Sequence, residues 1–416
     1  MANTEDSTGG LGATQQSGAS FNRRVVLDVI RREGQASRKD IGDRVGLSPQ
    51  AVANITQELE SLGLIVSQRI TGRRVRGQPP IAFSINPEGG DAIGFSLEPQ
   101  RVSAALVSLV GEVLARDEER FDTSDPDRVL AVMTRLSREL MARARDPKRL
   151  WGIGVALPGP FDVPGMSFVG PTAFEGWRNL QLLTSLEQAM GLPVFYNTDS
   201  VAGALGEMLF GVAAPLSDFF YLHLSVGLGG VLLVDRSAYR GAAGNATEIG
   251  HVPVAPRGRP CYCGSEGCLE RYLSLHALSE YMHGAVAPEL GAETVKALLT
   301  AEDPHAVGWC RQAGPYLRDA ICMIENLFDP EAVVLGGTGP RLLWDRLVAE
   351  AGPLRPSVRR ASPLRILISE QDGDSALLGA AVLPIYELLS PRLHAAAATL
   401  AHHPAHVALA VTRDEK

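Results

Sequence analysis

The chain is poor in aromatics, with 6% Phe, Trp and Tyr over 416 residues, and it has only five cysteines. So few thiols over such a length exclude a small scaffold held by disulfides. No run of eighteen apolar residues occurs, which excludes the usual membrane-spanning helix. No charged-then-apolar N-terminal stretch of the signal-peptide kind is present, so the expected compartment is the cytoplasm. An excess of positive charge is missing too: the net charge is −8, so the whole molecule is not a basic nucleic-acid binder. Hydrophobic residues make up 45% of the chain, enough for large interiors. The length exceeds one ordinary core, so two or three domains are expected.

The scarce cysteines are gathered. Three of them, Cys261, Cys263 and Cys268, lie within eight residues, and His251 completes a set of four within eighteen. The Cys-x-Cys spacing is wrong for one helix face, so the backbone turns there, and Gly264 and Gly267 let it turn back. Soft sulfur with imidazole prefers tetrahedral zinc, and four protein ligands leave no position for water, which reads as a structural ion. The alternatives are an accidental cluster and a disulfide; the absence of any export signal disfavours the latter. Glu248 and Glu270 flank the set, so the metal would bring polar side chains to one place.

The charge is also unevenly spread. Residues 20–88 hold eleven Lys and Arg against seven Asp and Glu, about +4, while the chain beyond them comes to about −10. Val25, Val26, Val29 and Ile30 recur at helical spacing, and Gly34 ends that helix. Ser37 with Asp40 makes a capping box for a helix over Arg38–Val45. Ser48 caps a third, with Pro49 at its first position, running to about Leu62. Two short helices around a Gly-containing turn form a helix-turn-helix. A strand and a basic tip over residues 71–80 then read as a wing. Such a module can serve protein contacts, but the basic wing on an acidic body favours DNA. Arg23, Arg24, Arg38, Lys39, Arg73, Arg74 and Arg76 are the phosphate-facing candidates. Ser48 opens the reading helix, on which Gln50, Ala51, Asn54 and Thr56 are the base-reading candidates.

Residues 1–19 are polar and read as a disordered tail. After residue 88, strands over 92–97, 101–107 and 111–115, a helix from Asp125 to about Arg145 and a buried strand from Trp151 announce an α/β body. Phe219 to Asp235 restarts the strand-turn-strand theme, a weak internal duplication. Asp199 stands where an apolar strand turns into a helix. There it can accept a proton from a hydroxyl, bond it, or cap the helix. Residues 390–416 read as a second tail; His402, His403 and His406 in it could bind metal.

Glu248-Ile-Gly-His251 followed by Cys261-x-Cys-Gly-x-x-Gly-Cys-x-Glu270 resembles the signature of the ROK family of repressors, open reading frames and sugar kinases. The resemblance extends to Ser37-Arg-x-x-Ile, Gly46-Leu-Ser-x-x-x-Val and Leu59-x-x-x-Gly-Leu-Ile, as in the winged-helix heads of ROK regulators. It covers about residues 20–389. It implies a multidomain protein: a winged helix-turn-helix head over 20–88, and over 89–389 an actin-like, ribonuclease-H-like (ASKHA) body of two lobes with a zinc loop at 251–268. It implies a hexose-type pocket in which Glu248, His251 and Glu270 touch sugar hydroxyls and His251 also holds the zinc. Asp199 matches the catalytic Asp of ROK sugar kinases, but the Asn that precedes it there is Thr198 here. Gly159 and Asn179 fall in loops that also line the family's pocket.

The same kinases carry Asp-x-Gly-Gly-Thr in their first phosphate hairpin, and here those positions read Ser96-Leu-Glu-Pro-Gln100. The metal-side carboxylate is gone, Glu98 repels phosphate, and Pro99 has no N–H to donate. The second hairpin, Ser225 to Gly230, keeps its glycines but has Val226 in place of Thr. Gly336-Gly-Thr-Gly339 resembles the adenosine-side loop. The expectation is a sugar-responsive DNA-binding regulator of carbohydrate metabolism, a repressor with kinase activity lost. Its partners would be a double-stranded DNA operator with an inverted repeat and a sugar or sugar-phosphate effector. It would act as a homodimer or dimer of dimers and without a membrane. An ATP-dependent sugar kinase with an added DNA-binding head is the alternative, and a regulator answering to a protein effector is a third.

Overall fold

The computed structural model describes residues 15–69, 81–121, 125–161, 181–284, 290–358 and 364–391. The chain divides into two compact units, Met1–Gly89 with Glu387–Lys416, and Gly90–Tyr386. The body therefore closes three residues before the expected Leu389, inside the last helix.

In the first unit, α1 (Gln15–Glu33) is followed by β1 (Ala36–Ser37), α2 (Arg38–Val45), α3 (Pro49–Ser61), β2 (Ile65–Arg69) and β3 (Ile81–Ile85). α1 begins inside the stretch expected to be a tail. Gln15 to Ala19 have no apolar period, and Gly18 is a poor helix former, so nothing in the sequence marks them as helix. Ser37 caps α2 in both directions: its hydroxyl accepts from the Asp40 N–H while the Asp40 carboxylate accepts from the Ser37 N–H. Gly46, at φ 68°, ends that helix in the left-handed conformation that favours glycine. The strands pair in the order β1-β3-β2, antiparallel throughout. Val26, Ile30, Ile41, Val52, Leu59, Leu64 and Phe83 form a closed core. The wing tip, with Arg73, Arg74 and Arg76, lies outside the described residues.

The second unit repeats one design. Its first half is β4 (Asp91–Glu98), β5 (Arg101–Ser108), β6 (Val113–Arg120), α4 (Pro126–Met141), β7 (Leu150–Leu157), α5 (Gln181–Met190), β8 (Val194–Thr198) and α6 (Asp199–Phe210). Its second half holds β9 (Phe219–Leu224), β10 (Leu228–Val234), β11 (Ser237–Ala238), α7 (Leu275–His283), α8 (Ala292–Thr300) and α9 (Pro304–Phe328). β12 (Ala332–Gly337), α10 (Arg341–Ala351), β13 (Ile366–Ile368) and α11 (Ser375–Leu389) complete it.

The two sheets have the same order: β6-β5-β4-β7-β8 and β11-β10-β9-β12-β13. In each, an antiparallel meander is extended by two parallel strands. The faint duplication in the sequence is thus a full structural repeat. The inner strands are buried on both faces, so β9 reads Phe-Phe-Tyr-Leu-His-Leu rather than alternating. α11 packs on the first sheet through Gly154, where an added Cβ would stand 1.8 Å from the Ala380 carbonyl oxygen. Among the described residues no helix is long and apolar enough to cross a membrane.

Candidate functional site

A cavity of about 320 Å³ opens in the body where the end of β8, the β9–β10 turn and a short 3-10 turn at Ile249–His251 meet. Gly159, Thr198, Asp199, Glu248, His251 and Glu270 all line it. Asn179 lies outside the described residues. The 3-10 turn can lie this close to β10 because Gly250 has no Cβ; one there would meet the Leu228 carbonyl oxygen at 2.2 Å. Two of the lining side chains also have structural work. The Thr198 hydroxyl accepts from the Val201 N–H at 3.2 Å and so caps α6. The Glu270 carboxylate accepts from the Leu228 N–H at 3.0 Å and anchors the β9–β10 turn.

The carboxylates differ in charge state. Burial on its own would raise the Asp199 carboxyl, but the His223 imidazole, 3.5 Å away, and the Ser200 hydroxyl and N–H hold it below its usual value. Glu248 has no such partner. Burial, then the charges of Asp199 and Glu270, push it up to about 7. Near neutral pH the cavity therefore holds a firm acceptor at Asp199 beside a carboxyl that can give or take a proton. Arg240 supplies the one guanidinium among the described lining residues. Sequence reading missed His223. Its signal was there: a lone imidazole inside an otherwise aromatic and aliphatic, fully buried strand.

Beside the cavity, His251, Cys261, Cys263 and Cys268 place one donor atom each within 4.8 Å of one another. The Cys261 sulfur is 3.6 Å from His251 Nδ1, and the Cys263 and Cys268 sulfurs are 3.8 Å apart. Donors about 2.3 Å from a tetrahedral zinc stand roughly 3.8 Å from each other, so the spacing fits the ion. Burial and the neighbouring sulfurs push the Cys268 thiol up to about 12, a disadvantage that a cation relieves. Gly264 and Gly267 turn the chain at φ 87° and 74°, and the Cys261 N–H donates to the Ser265 carbonyl at 2.8 Å. Tyr262, between two of the thiols, contacts α7: its hydroxyl meets His276 Nε2 at 3.1 Å.

A second cleft of about 740 Å³ lies where the β4–β5 turn faces the segment before α11. Six carboxylates (Glu98, Asp117, Glu118, Glu293, Asp372, Asp374) face three guanidiniums (Arg101, Arg116, Arg120) there. Arg101 pairs with Glu98 at 2.5 Å and Glu118 at 3.7 Å, and Arg116 pairs with Asp374. The opening that shares walls with both cavities holds about 20 Å³ and is lined by Glu98, Pro99, Val226 and Asp199 among others. That space takes about one water molecule.

In the head, Ser48, Gln50 and Asn54 are exposed at the start of α3, and Ala51 is partly so. Gln50 donates to Asn54 at 2.8 Å, which sets the two amides side by side one turn apart. Lys39 is exposed, 3.5 Å from Asp43. Thr56 departs from expectation. It is fully buried, its hydroxyl accepts from Arg38 Nε at 3.0 Å and bonds the Ala53 carbonyl, so it holds the head together and does not face a base. Arg38 also lies over the Phe83 ring at 5.2 Å, and Arg23 pairs with Glu58 at 2.8 Å. Both are tied to the head's interior more than free arginines would be.

Comparison with known proteins adds to this geometry. Residues 94–386 match the model described as "ROK family", and residues 22–66 match one described as "Winged helix-turn-helix DNA-binding". A xylose repressor of Caldicellulosiruptor bescii is 28% identical over 391 residues, covering 89% of this chain and 96% of the relative. A solved ROK family transcriptional regulator, a homolog of the E. coli MLC protein, is 28% identical at a TM-score of 0.66, covering 88% of this chain and 96% of its own. A ROK family glucokinase from Streptomyces griseus, solved with glucose and AMPPNP, is 26% identical at a TM-score of 0.58. It covers 71% of this chain, with 99% of its own matched.

Proposed function

The chain belongs to the ROK family and carries a winged helix-turn-helix ahead of the kinase-fold body, and we propose that it is a sugar-responsive DNA-binding transcriptional repressor of carbohydrate-metabolism genes. Phosphoryl transfer is lost in this reading. The observation that carries it is the unequal fate of the two cavities. The carboxylate cavity is open and equipped for hydroxyl groups. The second cleft disfavours a triphosphate by its acidic majority, and Glu98, Pro99 and Val226 stand around the small space, about 20 Å³, that borders both.

In this reading Asp199 and Glu248 accept from sugar hydroxyls, while Glu270 keeps the β9–β10 turn in place behind them. Gly159 and Thr198 shape the wall, and Asn179 is a further contact. His251, Cys261, Cys263 and Cys268 hold a zinc ion, which supplies a structural cross-link only. Their role is to fix the Ile249–His251 turn, and with it Glu248, against β10. Gln50, Ala51 and Asn54 read bases from α3, with Ser48 at its cap. Lys39, Arg38 and the wing arginines Arg73, Arg74 and Arg76 meet phosphates. Two heads on a homodimer, or a dimer of dimers, read an inverted repeat in double-stranded DNA. The sugar acts by its different affinity for the two arrangements of the heads. A regulator of this kind works in the cytoplasm.

The test selects DNA fragments bound by the full-length protein and follows their release or tightening by fluorescence anisotropy as sugars and sugar phosphates are added. A change with one sugar that vanishes in Glu248→Gln, while DNA binding itself persists, supports the reading. DNA affinity that no sugar alters, in a protein that turns over Mg-ATP with sugar, overturns it.

A further inference from the structure

The cavity is lined by two chemically different groups of side chains. Its wall carries the carboxylates of Asp199, Glu248 and Glu270. Three tyrosines also line it: Tyr196 on β8, Tyr239 just after β11, and Tyr262 on the cysteine loop. They are 46%, 55% and 42% exposed. Among the described residues, four large aromatic side chains are exposed, Phe328 being the fourth, and these three gather on this one cavity. They come from segments far apart in sequence, so chain proximity does not explain the grouping. Exposed apolar surface collected in one place marks a binding groove more often than a solvated face.

Two of the rings are also held. Phe161 stands edge-on to Tyr196, with centroids 6.0 Å apart. Arg271 lies against the Tyr262 ring at 4.9 Å, and His276 holds its hydroxyl. The Tyr239 N–H donates to the Leu232 carbonyl at 2.8 Å, which fixes the backbone beneath the third ring.

A pyranose ring presents hydroxyls at its edge and C–H groups on its faces. The carboxylates can bind the edge of one ring, but they offer nothing to a face. Tyrosine rings do, and they add hydroxyls for water-facing groups. We propose that the cavity mouth is a second sugar subsite, and that the effector is a neutral glycoside of two rings. The inner ring is bonded by Asp199 and Glu248, and the outer ring is stacked on Tyr239, Tyr262 and Tyr196. That the effector is neutral follows from the charge of the lining as a whole: three carboxylates and one guanidinium, Arg240, line the cavity. A phosphorylated ring would meet net repulsion. The volume, about 320 Å³, falls within the range of roughly 300–1,000 Å³ seen for sites that enclose drug-sized ligands.

This inference rests on the sugar-sensor reading, and one experiment separates the two. The full-length protein is titrated by calorimetry with glucose, xylose and N-acetylglucosamine. Each is compared with its β-1,4-linked disaccharide, and glucose also with maltose. The expected result is that one disaccharide binds about tenfold more tightly than its own monosaccharide. Tyr239→Ala and Tyr196→Ala, both away from the cysteine loop, should then each lower that affinity ratio roughly three- to tenfold, and Tyr239→Phe should restore it. Monosaccharides binding as tightly as every disaccharide would overturn the second subsite and leave the sensor intact. So would tyrosine variants that weaken both sugars equally, since the rings would then only shape the wall. No binding by any of these sugars contradicts the sensor reading, and this inference with it.

Discussion

The turn between β4 and β5 and the turn between β9 and β10 occupy the same place in two sheets of identical order, yet they have gone different ways. The first holds Glu98 and Pro99, and its charge is met from within the sheet by Arg101. It has taken on side chains that serve the turn itself. The second stays small: Ser225, Val226 and Gly227, with the Leu228 N–H held by Glu270. A Cβ at Gly227 would stand 2.6 Å from the Glu270 carboxylate, which would have to swing aside and give up the Leu228 N–H. In the reading proposed above, the difference teaches which half of a kinase-type site a sugar sensor needs. A hairpin that cradles phosphate needs bare backbone N–H groups, and Pro99 offers none. A hairpin whose N–H is held by a cavity carboxylate serves the sugar side instead.

The comparison is broken most severely from the second side. Cys263→Ser, or removal of the bound metal by a chelator, should cost on the order of 3 kcal/mol or more, because the loop carrying Glu248 and Glu270 loses its cross-link. Metal analysis of fresh protein should give about one zinc per chain, and thermal melting should show the loss together with an absent sugar response.

Gly227→Ala comes next. It should cost about 1–3 kcal/mol in urea unfolding and weaken sugar binding tenfold or more, since the added methyl must displace the Glu270 carboxylate.

A pH test follows. Glu248 has its folded value raised to about 7 from an ordinary 4.5, so the folded state keeps that proton longer than the unfolded one. Its contribution is present at low pH and declines as pH rises from about 4.5 to about 7, by an amount on the order of 2–3 kcal/mol. Urea unfolding at pH 5 and pH 8 should show that difference in the wild type and a smaller one in Glu248→Gln. The smallest effect belongs to the first turn. Glu98→Ala removes a partly exposed ion pair and should change stability by about 1 kcal/mol or less, with no change in sugar binding. A large loss there would mean that the two turns carry equal weight, and the contrast would fail.

What was legible in the chain follows the same division. Local chemistry was readable: the Ser37 and Ser48 caps, the stop at Gly46, the Cys and His cluster and the broken phosphate turn each announce themselves within a few residues. The tertiary environment was not. Thr56 sits at the right period for a reading helix, but burial against Arg38 takes it out of reach of a base. The first turn of α1 is polar and lacks an apolar stripe, so it looked like a tail. His223 was visible as an oddity in β9, but its partner Asp199 is twenty-four positions earlier and comes to it only because α6, which Asp199 opens, packs on β9. The tyrosines at the cavity mouth lie in three separate segments and share no pattern at all.

The central claim is a sugar cavity that works without phosphoryl transfer. Its most direct test is the melting temperature of the full-length protein in matched concentrations of sugars, sugar phosphates and Mg-ATP. Stabilisation by a neutral sugar and none by Mg-ATP is expected. Stabilisation by Mg-ATP, with ADP and a sugar phosphate formed and both lost in Asp199→Asn, would contradict it.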